Sequence, residues 1–315
     1  MYNLILSLQI VAPFCLFLLT GFILCTASFL NEQTRLNLNK LITNVGLPAL
    51  LFVNTCRSDF RQFSDWKTIL FASVGIVAVF LGALLVVPRL VDDRARCASI
   101  IHALFRGNTI IYGIPIVQGL LGDQADLSGI MAIITSSTVI YNLLGVTTLT
   151  TFCRRDKTSF LSVVLQLART PMLIGALLGI ALSLLGVMPP APIMSFASGL
   201  SAMTTPLAFL CLGASFRLYS GPSSFRACLV AALVRLLVIP SVFLGLAILG
   251  FGFRGLSLAC LISIFATPCA INTYPQASAF GADAEVAGGI LIYTTAGSIF
   301  SIVLIGSLFK AWGLL

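Results

Sequence analysis

Apolar runs of about 20 residues recur along this chain, and nothing limits its fold more. Ten are expected, at roughly 4–29, 38–56, 67–88, 97–122, 127–152, 170–187, 192–215, 226–249, 256–281 and 287–311. Each is long enough to cross a bilayer as a helix, which satisfies its own backbone where no water is present. Only 9% of the 315 residues are charged and the mean hydropathy is +1.07, whereas a soluble domain carries about a quarter charged residues. The expected fold class is therefore an all-α integral membrane protein. The run opening at residue 4 follows no basic segment and is too long for a signal peptide, so it reads as a retained first span.

Two runs are interrupted near their middles. In Cys97–Gly129 the helix-breaking residues are Asn108, Gly113 and Pro115; in Leu256–Gly289 they are Pro268, Asn272 and Pro275. Proline lacks the N–H that a helix interior needs and turns the preceding residue away from α. Broken backbone is tolerated in lipid only where protein buries it or it lines a wet cavity, so two such breaks half a chain apart mark a transporter binding site. Pro115 and Pro275 read as first residues of second half-helices, where a missing N–H costs nothing. From Pro115 to Gly122 a half-helix would run about 12 Å. A third break, Gly46-Leu47-Pro48, falls inside the short second span.

The breaks recur at nearly constant offset, Asn108 and Pro115 against Pro268 and Pro275, with Gly122 and Gly129 against Gly281 and Gly288. This divides the chain into a five-span repeat at 1–152, a connector at 153–169 and a second repeat at 170–315. Five is odd, so the second copy enters the membrane inverted, with the site at the pseudo-two-fold near the midplane. Residues 159–169 read either as an interfacial amphipathic helix or as the start of span six.

Polar side chains beside the breaks are the candidate ligands: Asn108, Thr109, Gln118, Asn272, Thr273 and Gln276, with Asn142 in span five. Half-helix N-termini aimed at the midplane favour an anion. Arg106 and His102 sit one turn apart in span four, and Arg235 lies deep in span eight. Charge inside a membrane is costly and marks function by default, although Arg235 could snorkel to the cytoplasmic side. Every Asp and Glu falls in a loop or at a span end, so no membrane-embedded carboxylate is available as a sodium or proton relay.

The net charge of +8 does not point to nucleic acid, because the basic residues crowd alternate short loops (Arg89, Arg94 and Arg96; Arg154, Arg155 and Lys157; Arg217 and Arg226). By the positive-inside rule those loops are cytoplasmic, and both termini face out of the cytoplasm across a plasma membrane, the inner membrane of a bacterium. The cysteines lie mostly inside apolar runs and read as small hydrophobes. No metal site, cofactor, Ser–His–acid set or nucleotide-binding motif is present to suggest an enzyme or direct ATP drive.

GLPALLF at 46–52, GNTIIYGIPIVQGLLG at 107–122 and TPCAINTYPQASAFGADAE at 267–285 resemble the auxin efflux carrier family, which includes plant PIN-type auxin exporters and bacterial malate and malonate carriers. The resemblance covers essentially the whole chain. It implies ten helices in two inverted five-helix repeats, with spans one, two, six and seven as a scaffold. Spans three to five and eight to ten would form a transport domain, with spans four and nine crossing at their breaks. It further implies small organic anions as substrates, an elevator motion, and a homodimer through spans two and seven. The long central loop of many plant members is missing, so the chain looks more like a bacterial carrier. Pro268 stands where span four has Asn108, which makes the half-sites unequal. Bile-acid sodium symporters share the architecture and give a sodium-coupled alternative. A ligand-sensing membrane protein without transport is the other.

Overall fold

The computed structural model describes residue 13 and residues 16–57, 65–122, 127–153, 171–214 and 222–315. The connector at 153–169 lies almost wholly outside these, as do residues 4–12, 14 and 15 of the first expected span. Within them the regular elements are helices: α1 (Leu16–Thr26), α2 (Glu32–Leu41), α3 (Leu47–Arg57), α4 (Trp66–Leu90), α5 (Arg94–Phe105), α6 (Thr109–Leu121) and α7 (Leu127–Cys153), then α8 (Pro171–Leu185), α9 (Ala191–Ala214), α10 (Pro222–Leu233), α11 (Ile239–Leu249), α12 (Gly255–Phe265), α13 (Thr273–Phe280) and α14 (Ala284–Ala311). Among the described residues six helical stretches are long and apolar enough to cross a membrane: Glu32–Arg57, Trp66–Leu90, Ala132–Cys153, Ala191–Cys211, Phe225–Leu249 and Ala284–Ala311. On α4, Leu70, Val74, Leu81 and Leu85 are exposed. Such a stripe would be a liability in water and is an ordinary lipid-facing surface in a bilayer.

Two joints are π-helical. Ile42–Gly46 links α2 to α3, and Val234–Val238 links α10 to α11. In each, the residue after the π-turn bonds five residues back (Leu47 N–H to the Ile42 carbonyl, Ile239 N–H to the Val234 carbonyl), and a proline, Pro48 or Pro240, follows at the next position. The widened turn shifts the bonding register just ahead of a residue that cannot donate. This corrects the expected Gly46-Leu47-Pro48 break: the chain stays helical through it.

The described elements fall into two units. One takes those between Phe14 and Ser64 and between Asp156 and Leu218, in which α3 packs on α8 and α9. The other takes those between Asp65 and Arg155 and between Tyr219 and Leu315. It contains both broken segments, α5–α6 and α12–α13.

Capping ties fix how these segments enter the second unit. Asp65 caps α4, accepting from the Thr68 amide (3.2 Å) and hydroxyl (2.5 Å), and it accepts a further 2.5 Å bond from Ser257 near the start of α12. At the other end of α4, Asp93 caps α5. The start of α5 is in turn tied to the start of α14: Asp283 pairs with Arg96 at 3.4 Å, and its carbonyl accepts from Ser99 at 2.8 Å. With 25 residues α4 is about 37 Å long. Since α12 starts beside one end of it and α5 beside the other, the two enter the unit from opposite sides.

Candidate functional site at the crossing of the broken helices

From opposite sides, α5 and α12 run inward and stop. The chain then leaves helix at Arg106–Asn108 and at Ala266–Asn272, and these stretches pair. Gly107 faces Cys269 in an antiparallel bridge, with Asn108 N–H donating to the Pro268 carbonyl (2.8 Å) and Ala270 N–H to the Arg106 carbonyl (3.0 Å). Each break thus satisfies backbone groups of the other, as an apolar surrounding requires. Beyond the bridge, α6 packs along α12, and α13 lies near α5.

Gly107 was not singled out by its sequence context, and its reason is a distant one. A Cβ there would lie 2.3 Å from Arg235 Nη2, 2.7 Å from Thr267 Oγ1 and 3.0 Å from the Ile264 carbonyl oxygen. Only glycine fits. The glycine directly before the Asn108 N-cap was the available signal.

Helix starts and proline positions differ from expectation. The second half-helices begin at Thr109 and Thr273, with Asn108 and Asn272 at the positions just before them, which are therefore equivalent places; Pro268 lies in the pairing stretch instead. Pro115 and Gly113 do not break the helix, because α6 runs through both. Gly113 is a packing position, where a Cβ would stand 3.1 Å from Ile134 Cδ1 on α7. Pro115 sits about 9 Å along α6 from its first residue, giving up one helical bond inside a supported helix. Pro275 is third in α13, within the first turn, whose N–H groups have no helical acceptor in any case. The two half-helices are unequal, 13 residues in α6 against 8 in α13.

Two arginines are buried around the bridge and their partners differ in kind. Arg235, in the Val234–Val238 π-turn and 1% exposed, donates from Nε to the Thr267 carbonyl, from Nη1 to the Leu104 carbonyl and from Nη2 to the Ile264 carbonyl, each at 3.0 Å. These acceptors belong to the last turns of α5 and α12 and to the stretch just after α12. One cation therefore serves the negative ends of both inward-running helices. It does not snorkel toward either side.

Arg106, 3% exposed, is the extended residue that ends α5. Its Nη2 donates to Asn142 Oδ1 (2.8 Å) and its Nη1 to the Tyr141 carbonyl (3.2 Å) and Gln276 Oε1 (3.3 Å). All three acceptors are neutral. Among the described residues the ion pair is Arg96–Asp283, so no carboxylate opposes Arg106 or Arg235. Arg235 has helix ends to offset its charge; Arg106 has only amide and carbonyl oxygens and a place beside the start of α13.

Of the expected site residues, the fold joins Arg106, Asn142 and Gln276 directly. Asn108 and Thr109 stand at the start of α6, with Asn272 and Thr273 at the start of α13, all four buried. The Thr273 hydroxyl accepts from the Cys269 thiol at 3.3 Å. Asn142 is 5% exposed, and among the described residues its Nδ2 has no acceptor, leaving a donor beside Arg106. Gln118 is exposed near the far end of α6 and is not part of this group.

A family model described as a membrane transport protein matches residues 6–159 and 154–305. An uncharacterized transporter of Methanothermobacter thermautotrophicus is 24% identical over 306 residues, covering 95% of this chain and 97% of that one. The family is one of transporters and not of enzymes. With its apolar helices, the chain is a multi-pass membrane protein of the membrane transport protein family, the auxin-efflux-carrier type that its broken spans resemble.

Proposed function

We propose that this transporter is a secondary carrier of small organic anions, mono- or dicarboxylates such as malate or malonate or auxin-like acids. The observation that carries this reading is Arg106, a buried guanidinium with three neutral acceptors and no opposing carboxylate among the described residues. A buried charge held by neutral groups alone is costly, and an arriving carboxylate would accept charge-assisted bonds from it. The starts of α6 and α13 add positive dipole ends, and Asn142 Nδ2 adds a donor. Thr109, Asn108, Asn272 and Thr273 complete the lining in this reading, with Gln276 as the residue an anion displaces from Arg106.

Alternating access of the elevator kind follows from the same reading. The unit that holds the crossing moves as the transport domain, and the other serves as a scaffold through which two copies pair. The division of the contacts into these two units supports it. The site would then travel as one preassembled body, because both breaks and both arginines lie in a single unit.

The test is thermal stability of the purified protein with malonate, malate and indole-3-acetate. A ligand that binds only the folded state stabilises it by about 2.7 kcal/mol at a hundred times its Kd. At least one of the three should raise the Tm of the wild type. Arg106→Gln should bind it at least tenfold more weakly, since a lost charged hydrogen bond costs about 1.5–3 kcal/mol, and Arg106→Lys should recover only part. No response to any of the three anions, or normal binding by Arg106→Gln, overturns the reading.

A further inference from the structure

His102 is the one histidine of the chain. It lies on α5 a turn before Arg106, fully buried, and among the described residues neither ring nitrogen has a hydrogen-bond partner. A neutral imidazole always has one donor and one acceptor to satisfy, and leaving them unmet in a buried place is costly. Packing alone would be served as well by an apolar ring. Such an orphan asks for a chemical reason.

Its surroundings supply one. A Cβ on Gly145 of α7 would lie 2.9 Å from His102 Nε2 and 3.1 Å from Arg106 Nη1, so imidazole and guanidinium both rest on the same glycine. Phe105 lies beside the ring, tilted by 54°, at 5.7 Å between centroids. Arg106 is the charged side chain that shares this glycine with the ring. Among the other elements packed on α5, α7 carries Tyr141, the Val234–Val238 π-turn Arg235, α10 Arg226 and Cys228, α13 Tyr274, and α14 Glu285, Tyr293 and Lys310. The charges of α4, Lys67 and Arg89, sit at its two ends, and α13 carries none. Two adjacent cations with no counter-charge cannot both be accommodated there.

We propose that His102 is a proton-binding site linked to the anion site through Arg106, so that a proton is taken up with each anion. This rests on the carboxylate reading above. Burial and a neighbouring guanidinium both oppose an imidazolium; a carboxylate that pairs with Arg106 supplies a counter-charge to set against both, and a proton from bulk water then adds to the free ring lone pair. By linkage the proton favours the anion to the same degree. For a monocarboxylate the loaded site gains no net charge. Imidazole is the side chain suited to exchange that proton near neutral pH. Gln276, half-buried and bonded to Arg106, joins the pair to the outside of the unit.

With a single histidine and a purification tag that contains none, protein labelled with 15N-histidine shows one imidazole. At pH 7.5 it should be neutral without ligand and become imidazolium on saturation with whichever of malonate, malate or indole-3-acetate raises the Tm. The affinity of the wild type should rise by up to about tenfold per pH unit on going from pH 8 toward 6. His102→Gln should bind at pH 8 and show only the dependence due to the anion's own titration. An imidazole that stays neutral with anion bound, or a pH profile shared by wild type and His102→Gln, overturns the proposal and leaves the anion reading standing. Binding of none of the three anions overturns both. Should His102→Gln fail to fold, the wild-type imidazole signal decides alone.

Discussion

Gly107 and Arg235 meet at a distance that admits no side chain: a Cβ on the glycine would stand 2.3 Å from the guanidinium Nη2. Gly107→Ala should therefore displace Arg235 from the carbonyls it serves, or part the Gly107–Cys269 bridge. The overpacking alone costs about 1–3 kcal/mol. The Tm of Gly107→Ala should fall by several degrees and that of Gly107→Val further. An alanine variant as stable as wild type would show that the contact relaxes freely.

Arg235 and Arg106 should separate into two phenotypes. Removing Arg235 orphans carbonyls at the ends of α5 and α12, at about 1–3 kcal/mol each, so Arg235→Met should be poorly folded or strongly destabilised. Arg106→Gln should keep most of its stability and lose anion affinity. Thermal melts of both variants, with and without ligand, check the contrast. Equal stability losses in the two would erase it.

Asp65 gives a pH signature outside the spans. Partial burial raises its carboxyl, but bonds from Ser257 and from the Thr68 hydroxyl and amide, with the charge of Lys67, outweigh that and hold it below the ordinary value. A lowered carboxyl contributes stability that is complete above its unfolded-state value, about pH 3.9, and disappears as the pH falls through the folded one. Asp65→Asn should melt below wild type at pH 7, and the gap should close under acid conditions. A gap that does not depend on pH would assign the effect to geometry and not to charge.

Orientation follows from the basic loop at Arg154, Arg155 and Lys157. In a background free of other accessible thiols, Asp156→Cys should resist impermeant thiol reagents in intact cells and react once the cells are opened. Ready labelling of intact cells would invert the topology.

Sodium should be dispensable, because the acidic residues stand in loops or at span ends. Uptake into proteoliposomes should persist when choline replaces sodium. A saturable sodium requirement would revive the symporter alternative.

The existence of both breaks was legible in the chain, since proline and asparagine inside apolar runs have few other uses. Their exact extent was not. Helix α6 starts at Thr109 because the Asn108 amide is claimed by the Pro268 carbonyl, a partner far along the chain. Local proline rules placed the start at Pro115, through which the helix in fact runs uninterrupted. Arg106, Asn142 and Gln276 were recognisable as polar groups in apolar surroundings, and the fold brings them to one point. Gln118 has the same residue type but lies too far along α6. Arg235 looked able to reach water by length alone. What holds it inward is a set of carbonyls that only the finished crossing presents together.

That crossing has a consequence for biosynthesis. Gly107 is made roughly 160 residues before Cys269, an interval on the order of ten to thirty seconds at ordinary elongation rates. Arg235, which serves the end of α5, also emerges late. Throughout that interval the Arg106 carbonyl and the Asn108 amide lack the late partners, Ala270 and Pro268, that they bond in the finished fold. Release into lipid at that stage would strand both. The nascent α5–α6 segment therefore needs a hydrated or protein-lined place until α12–α13 is made, and the two broken segments are expected to enter the bilayer together and late.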